Sequence, residues 1–232
     1  MTTLDTLFLD AGGVLVNPNW ERVAAVLGRH GLTVAATALA AAEPGAKHAL
    51  DVPRHVAGSS DQTRVGAYWE LVLARAGVRA DRVRLAAPWA ELEQYHRTAN
   101  LWETVPAEVP AALARLRGLG LRLVVVSNAN GTLAAKLDRL DLARHFDAIL
   151  DSHVVGFEKP DPRIFAAALA RAGTTAARAL HVGDLYEVDV VGARAAGIRG
   201  VLLDAADLYA GRDCPRVASL TALAATLAAG TL

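Results

Sequence analysis

The stretch LFLDAGGVLV, residues 7–16, decides the fold. An apolar run ends at one carboxylate, Asp10, turns through Gly12 and Gly13, and becomes apolar again. A short apolar segment closed by glycines is the pattern of a buried strand. Four later segments repeat it: RLVVVSN (122–128), DAILD (147–151), RALHVGD (178–184) and GVLLD (200–204). Four of these five strands end in Asp, and the other in Ser-Asn. Helical patterns lie between them: PAALARLRGLG with a stop at Gly120, TLAAKLDRL, PRIFAAALARAG with a stop at Gly173, and VVGARAAG with a stop at Gly197. Strand alternating with helix predicts an α/β fold, a Rossmann-like parallel sheet with helices on both faces. In such a sheet ligands bind at the carboxyl ends of the strands, where these polar residues fall.

Residues 16–97 break the alternation. NPNWERVAAVLGRHG reads as a capped helix stopped by Gly31. SDQTRVGAYWELVLARAG places apolar residues at 65, 68, 69, 72, 73 and 76 and reads as a second helix. DRVRLAAPWAELEQYHRTA reads as a third, interrupted at Pro88. The expectation is a catalytic core made of residues 1–15 and 98–232, with residues 16–97 inserted as a helical cap. At helical spacing Tyr68 and Trp69 read as core, and Trp20 reads equally as helix packing or cleft lining. His48, Arg54, His55 and His96 are the polar cap residues to test for substrate contact.

The chain has 232 residues, 24 basic and 24 acidic, and 53% of it is hydrophobic. Zero formal charge gives no footprint for nucleic acid or a membrane surface, so the expected partner is a small molecule. Cys214 is the only cysteine, so no intrachain disulfide forms. The first residues carry no secretory pattern, and no apolar run reaches the ~20 residues of a membrane span. The expected compartment is the cytoplasm, and the oligomeric state stays open. Only Lys47, Lys136 and Lys159 are lysines in this arginine-rich chain.

Four pieces carry chemistry: Asp10, Ser127-Asn128, Lys159 in GFEKPDP, and Asp184 with Asp189 in VGDLYEVDVVGA. Taken singly, each has a plain reading as a turn, a cap or a solvated lysine. In this order and at four sheet ends they resemble the haloacid dehalogenase superfamily, over nearly the whole chain. The resemblance implies phosphoryl transfer, with Asp10 as a carboxylate nucleophile that forms an aspartyl phosphate. It implies Mg²⁺ held by the Asp10 carboxylate, the Gly12 backbone carbonyl and the Asp184 carboxylate, with Asp189 orienting metal-bound water. Ser127 would donate its hydroxyl to the phosphoryl group. Asn128 and Ala129 would offer backbone N–H groups. Lys159 would neutralise charge between nucleophile and phosphate, a task for a compact ammonium.

One departure matters. Most phosphatases of this superfamily carry a second Asp two residues after the nucleophile, as a proton shuttle, and here that position is Gly12. General acid–base help is worth about 10²–10⁴-fold, or roughly 3–5 kcal/mol of barrier. Three readings follow. The first is a phosphatase acting on a leaving group that departs with little protonation, such as a sugar anomeric phosphate, or borrowing an acid from elsewhere. The second is a 2-haloacid dehalogenase, whose DAYGTL and SNGN motifs resemble DAGGVL and SNAN; the Asp184 and Asp189 carboxylates argue against it. The third is a phospho-ligand-binding protein that has lost turnover. A phosphonate hydrolase, which would need Lys47 for a Schiff base, is a minor fourth.

Overall fold

The computed structural model describes residues 4–232, the side chain at position 62 aside; residues 1–3, with which the expected core segment begins, lie outside it. Six strands form one sheet: β1 (Thr6–Leu9), β4 (Arg122–Ser127), β5 (Ala148–Asp151), β6 (Ala179–Gly183), β7 (Arg199–Leu203) and β8 (Arg216–Val217), in the order β5-β4-β1-β6-β7-β8. Every pairing in it is parallel, as the strand–helix alternation predicts. Two further short strands, β2 (Asn17–Pro18) and β3 (Trp102–Thr104), pair with each other.

The sheet is apolar on both faces because its strands lie between helices. Phe8, Val124 and Val126 cluster with Ile164, Phe165 and Ala168 of the helix Pro162–Ala172. Leu7, Leu9, Leu123 and Val125 alternate with them and point to the opposite face, where the helix Val109–Gly118 lies on β4 and is backed by the helix Leu220–Ala228. Each fully buried Leu or Phe contributes about 1.5–3 kcal/mol relative to exposure. The chain runs from β1 to β4 and β5 on one side, then returns to β6, β7 and β8 on the other. Connections therefore diverge between β1 and β6, and a crevice at that switch point is where an open α/β sheet receives its ligand.

The chain divides into two compact units, Met1–Asn17 with Thr104–Leu232, and Pro18–Glu103. On the return side the division falls after 103, and Leu101 and Trp102 belong with the helices: Leu101 is buried in their core and Trp102 packs against it. In the second unit the helix Trp20–Arg29 is capped by Asn19, whose side chain accepts from the Arg22 N–H at 2.9 Å. The helix Ala36–Leu50 spans the Ala-rich stretch through Pro44. Arg82–Thr98 is one continuous helix, so Pro88 does not interrupt it. Pro88 forfeits one backbone bond, but it is buried on the same face as Leu85 and Leu92, and that packing holds the helix together. Trp69 lies in an edge-on or tilted array with Trp20, Trp89 and Trp102, ring centroids 5.3–6.0 Å apart, and with Tyr68 at 5.0 Å. Trp20, Tyr68 and Trp69 are therefore core residues. No helix among the described residues is long and apolar enough to cross a membrane.

Candidate active site

Asp10 leaves the end of β1 with its backbone N–H bonded to the Val182 carbonyl on β6, which fixes it at the switch point. Its Oδ1 accepts from the Ala11 N–H at 2.7 Å and lies 2.9 Å from the Lys159 ammonium. Behind it the chain turns tightly: the Ala11 carbonyl accepts from Leu15 and Val16, and Gly13 adopts φ 74°, a left-handed conformation that favours glycine.

Asp184 and Asp189 follow β6, the strand beside β1. One oxygen from each of Asp10, Asp184 and Asp189 lies within 4.8 Å of the others. Asp189 is fully buried, and its side chain folds back over Gly183. A Cβ at position 183 would sit 2.0 Å from the Asp189 Cγ, so only glycine leaves room for the carboxylate there. A π-helical turn over Tyr186–Val191 replaces the expected start of the helix VVGARAAG and carries Asp189 back to this position.

Asp189 is also tied into a network behind the carboxylate cluster. Its Oδ1 accepts from Lys159 Nζ at 2.7 Å and lies 3.0 Å from His181 Nε2, while Oδ2 accepts from the Leu185 N–H at 3.0 Å. Three donors therefore aim this carboxylate at the lysine. Burial alone would lower the Lys159 pKa, but the Asp10 and Asp189 carboxylates outweigh it and raise it above the ordinary lysine value. Burial likewise opposes the Asp189 anion, and the Lys159 charge and the His181 hydrogen bond together hold its pKa below the usual carboxylate range. Lys159 is thus a fully buried amine between two carboxylates, both of which favour its ammonium form.

The Asn128 side chain and the Ala129 N–H both bond within the protein. The Asn128 side chain clamps the lysine loop in both directions: Oδ1 accepts from the Lys159 N–H at 2.7 Å, and Nδ2 donates to the Lys159 carbonyl at 2.9 Å. The Ala129 N–H donates to Ser152 Oγ at 3.0 Å, so that group is spent inside the protein. Ser127 is buried at the end of β4, its hydroxyl 3.5 Å from the Asn128 carbonyl, the outer limit of a hydrogen bond.

The other strand-end carboxylates are structural. Asp151 accepts from the Gly131, Leu133 and His153 N–H groups and ties down the loop after β4. Asp204 accepts from Leu208 and Tyr209. Among the secondary candidates, Glu187 lies 3.6 Å from Arg212, Lys47 is paired with Glu43 at 2.9 Å, and the His96 Nδ1 accepts from the Leu101 N–H. Arg54 and His55 are exposed and His48 is half-buried.

His181 was not singled out from the sequence. It stands in the middle of β6, completely buried, where burial pushes its pKa down and the Asp189 bond opposes that shift. The available signal was a lone polar residue in the apolar strand ALHVG.

The chain is similar to known proteins over most of its length. A family model described as haloacid dehalogenase-like hydrolase matches residues 4–197. Haloacid dehalogenase-like hydrolase domain-containing protein 3 of Bos taurus is 36% identical over 179 residues, covering 75% of this chain and 70% of that protein. A phosphoserine phosphatase of Thermus thermophilus is 39% identical over 133 residues, 57% of this chain and 51% of its own length. This chain therefore spans about half of that phosphatase. Among solved structures, the magnesium-bound HAD-hydrolase YfnB of Bacillus subtilis superposes with a TM-score of 0.68 at 18% identity, covering 97% of this chain and 99% of the other. At that identity the likeness is one of fold.

Proposed function

The chain belongs to the haloacid dehalogenase-like hydrolases, and from that premise we propose that it is a Mg²⁺-dependent phosphatase of small-molecule phosphate monoesters, with Asp10 as its nucleophile. The observation that carries this reading is the buried Lys159 ammonium bridging Asp10 and Asp189 beside a third aspartate, Asp184. A cation fixed against a carboxylate suits attack on an anion, since charge that develops in the transition state is met by a preorganised partner. The similarity to a phosphoserine phosphatase supports the same class.

Hard carboxylate oxygens this close together fit Mg²⁺. Asp10 and Asp184, with the Gly12 carbonyl, would hold the ion; Asp189 is committed to Lys159, His181 and Leu185. Bound there, the ion would supply positive charge between nucleophile and phosphate.

With Oδ1 of Asp10 held by Ala11 and Lys159, Oδ2 attacks phosphorus; the P–O bond to the alcohol breaks, and its electron pair leaves with the alkoxide. Water then adds to the phosphorus of the aspartyl phosphate, and the carboxylate is released with inorganic phosphate. Ser127 and the Asn128 N–H would orient the phosphoryl oxygens. Position 12 supplies no side-chain proton, so the best substrates carry leaving groups that depart as weak bases, sugar anomeric phosphates among them. The helical unit, Pro18–Glu103, is read as the cap that sets substrate choice.

The test is phosphate release from p-nitrophenyl phosphate and a panel of sugar phosphates, with Mg²⁺ or EDTA. The expected result is metal-dependent release that Asp10→Asn abolishes. EDTA-resistant halide release from 2-chloropropionate, or tight phosphate binding without turnover, overturns it.

A further inference from the structure

β6 is buried throughout, and His181 is the one polar side chain in ALHVG. It stands opposite Phe8 of β1 and Gly200 of β7 in the sheet, with the edge of Phe165 against its ring, centroids 5.0 Å apart. Its Nε2 lies 3.0 Å from Asp189 Oδ1. An ionised carboxylate only accepts, so Nε2 carries the hydrogen; in the neutral ring Nδ1 is then a bare acceptor. Nδ1 is buried and has no hydrogen-bond partner. A polar ring half of whose hydrogen-bonding capacity goes unmet is costly in an apolar strand, where a leucine would pack without that penalty. The single N–H it provides must therefore matter.

That N–H meets the same oxygen that receives Lys159 Nζ, while Leu185 holds the other oxygen. The side-chain carboxyl torsion of an aspartate is soft, so with one backbone donor on Oδ2 the other oxygen can still swing with the lysine it accepts from. A second donor on Oδ1 fixes that torsion, and being neutral it adds no charge to compete with Lys159. We propose that His181 is a positioning residue: through Asp189 it holds the Lys159 ammonium against the Asp10 nucleophile. The inference rests on the phosphatase reading for its kinetic consequence and on geometry alone for its structural one.

Two variants of the full chain separate these consequences. His181→Leu removes the donor, and His181→Gln places an amide N–H where Nε2–H stood. With p-nitrophenyl phosphate and Mg²⁺, kcat falls about 10- to 100-fold in the Leu variant, the usual scale for a supporting hydrogen bond, while KM stays within about twofold. The Gln variant recovers most of the loss. Independently of turnover, the ¹⁵Nζ resonance of Lys159, assigned by Lys159→Met among the three lysines, is protected from solvent exchange in wild type and His181→Gln and broadened in His181→Leu. A merely structural role would lower stability in both variants without separating kcat from KM. If the Leu variant does not fold, His181→Asn, whose shorter amide falls short of Asp189, takes its place. An unchanged kcat and Lys159 signal without the donor overturns the proposal, as does a Gln variant no better than the Leu one. A wild-type enzyme inert toward every phosphate ester, with the Lys159 signal still responding to His181, defeats the phosphatase reading and leaves the positioning intact.

Discussion

Adding one methyl group at Gly183 tests the site where it is tightest. A Cβ built there lies 2.0 Å from Asp189 Cγ, 2.3 Å from Oδ2 and 2.4 Å from Cβ. Carbon atoms settle at about 3.5–4.0 Å, so Asp189 has to retreat by about 1.5 Å. Its bonds to Lys159, His181 and Leu185, at 2.7, 3.0 and 3.0 Å, cannot all survive a displacement of that size. Overpacking costs about 1–3 kcal/mol, and a lost charge-assisted bond about 1.5–3 kcal/mol more, which together give Gly183→Ala a penalty of roughly 3–5 kcal/mol. In urea, with a slope of about 2 kcal/mol/M, the unfolding midpoint of the first unit falls by about 1.5–2.5 M. Hydrogen–deuterium exchange of the β6 amides, Ala179–Gly183, read along the urea series, follows that unit. Gly66→Ala is the control: the position lies inside the helix Asp61–Arg75 with nothing within 4 Å of a built Cβ. It should stabilise the second unit by about 0.5–1 kcal/mol. All four tryptophans lie in that unit, so their fluorescence reports it alone. A Gly183→Ala midpoint within 0.3 M of wild type, about 0.6 kcal/mol, would refute the placement of Asp189 over the glycine.

Other perturbations probe the remaining parts. Asn128→Ala releases both backbone groups of Lys159 and should lower kcat by about tenfold with little change in KM; a selective rise in KM would place Asn128 on substrate instead. Gly12→Asp supplies the missing shuttle and should raise turnover of esters with poor leaving groups by about 10²-fold, leaving p-nitrophenyl phosphate nearly unchanged. Equal effects on both substrates would mean that protonation never limited the rate. The pKa values of His181 and His145 are both lowered, chiefly by burial, so the unfolded chain binds protons that the folded rings refuse. Stability of the first unit should therefore fall as pH drops below about 6.5, whereas the contribution of Asp189 is lost only below the ordinary carboxylate value of 3.8. A urea midpoint identical at pH 7.5 and 5.5 in EDTA would contradict this.

Periodicity and punctuation made the sheet legible, because a parallel strand buried on both faces leaves an unbroken apolar run such as RLVVV. The same signals were silent on which acids do chemistry. Asp10, Asp151, Asp184 and Asp204 look alike at strand ends, yet three backbone N–H groups consume Asp151, and a turn with Arg216 consumes Asp204. The bond between Asp189 and Lys159 spans 30 residues, and no local pattern encodes a meeting of that kind. The Ala129 N–H is illegible for a similar reason: its acceptor is the hydroxyl of Ser152, 23 residues on. Pro88 misled in the other direction, since a local penalty was outweighed by burial that only the packed helices supply.

The central position of β1 has a consequence for biogenesis. Thr6 pairs with Arg122 on one side and Ala179 on the other, so the strand that carries Asp10 emerges from the ribosome long before either neighbour exists. At roughly 5–20 residues per second it waits several seconds at least for its second partner. The helical unit, contiguous and with its own core, can condense during that interval, so it is in place before the sheet closes around Asp10.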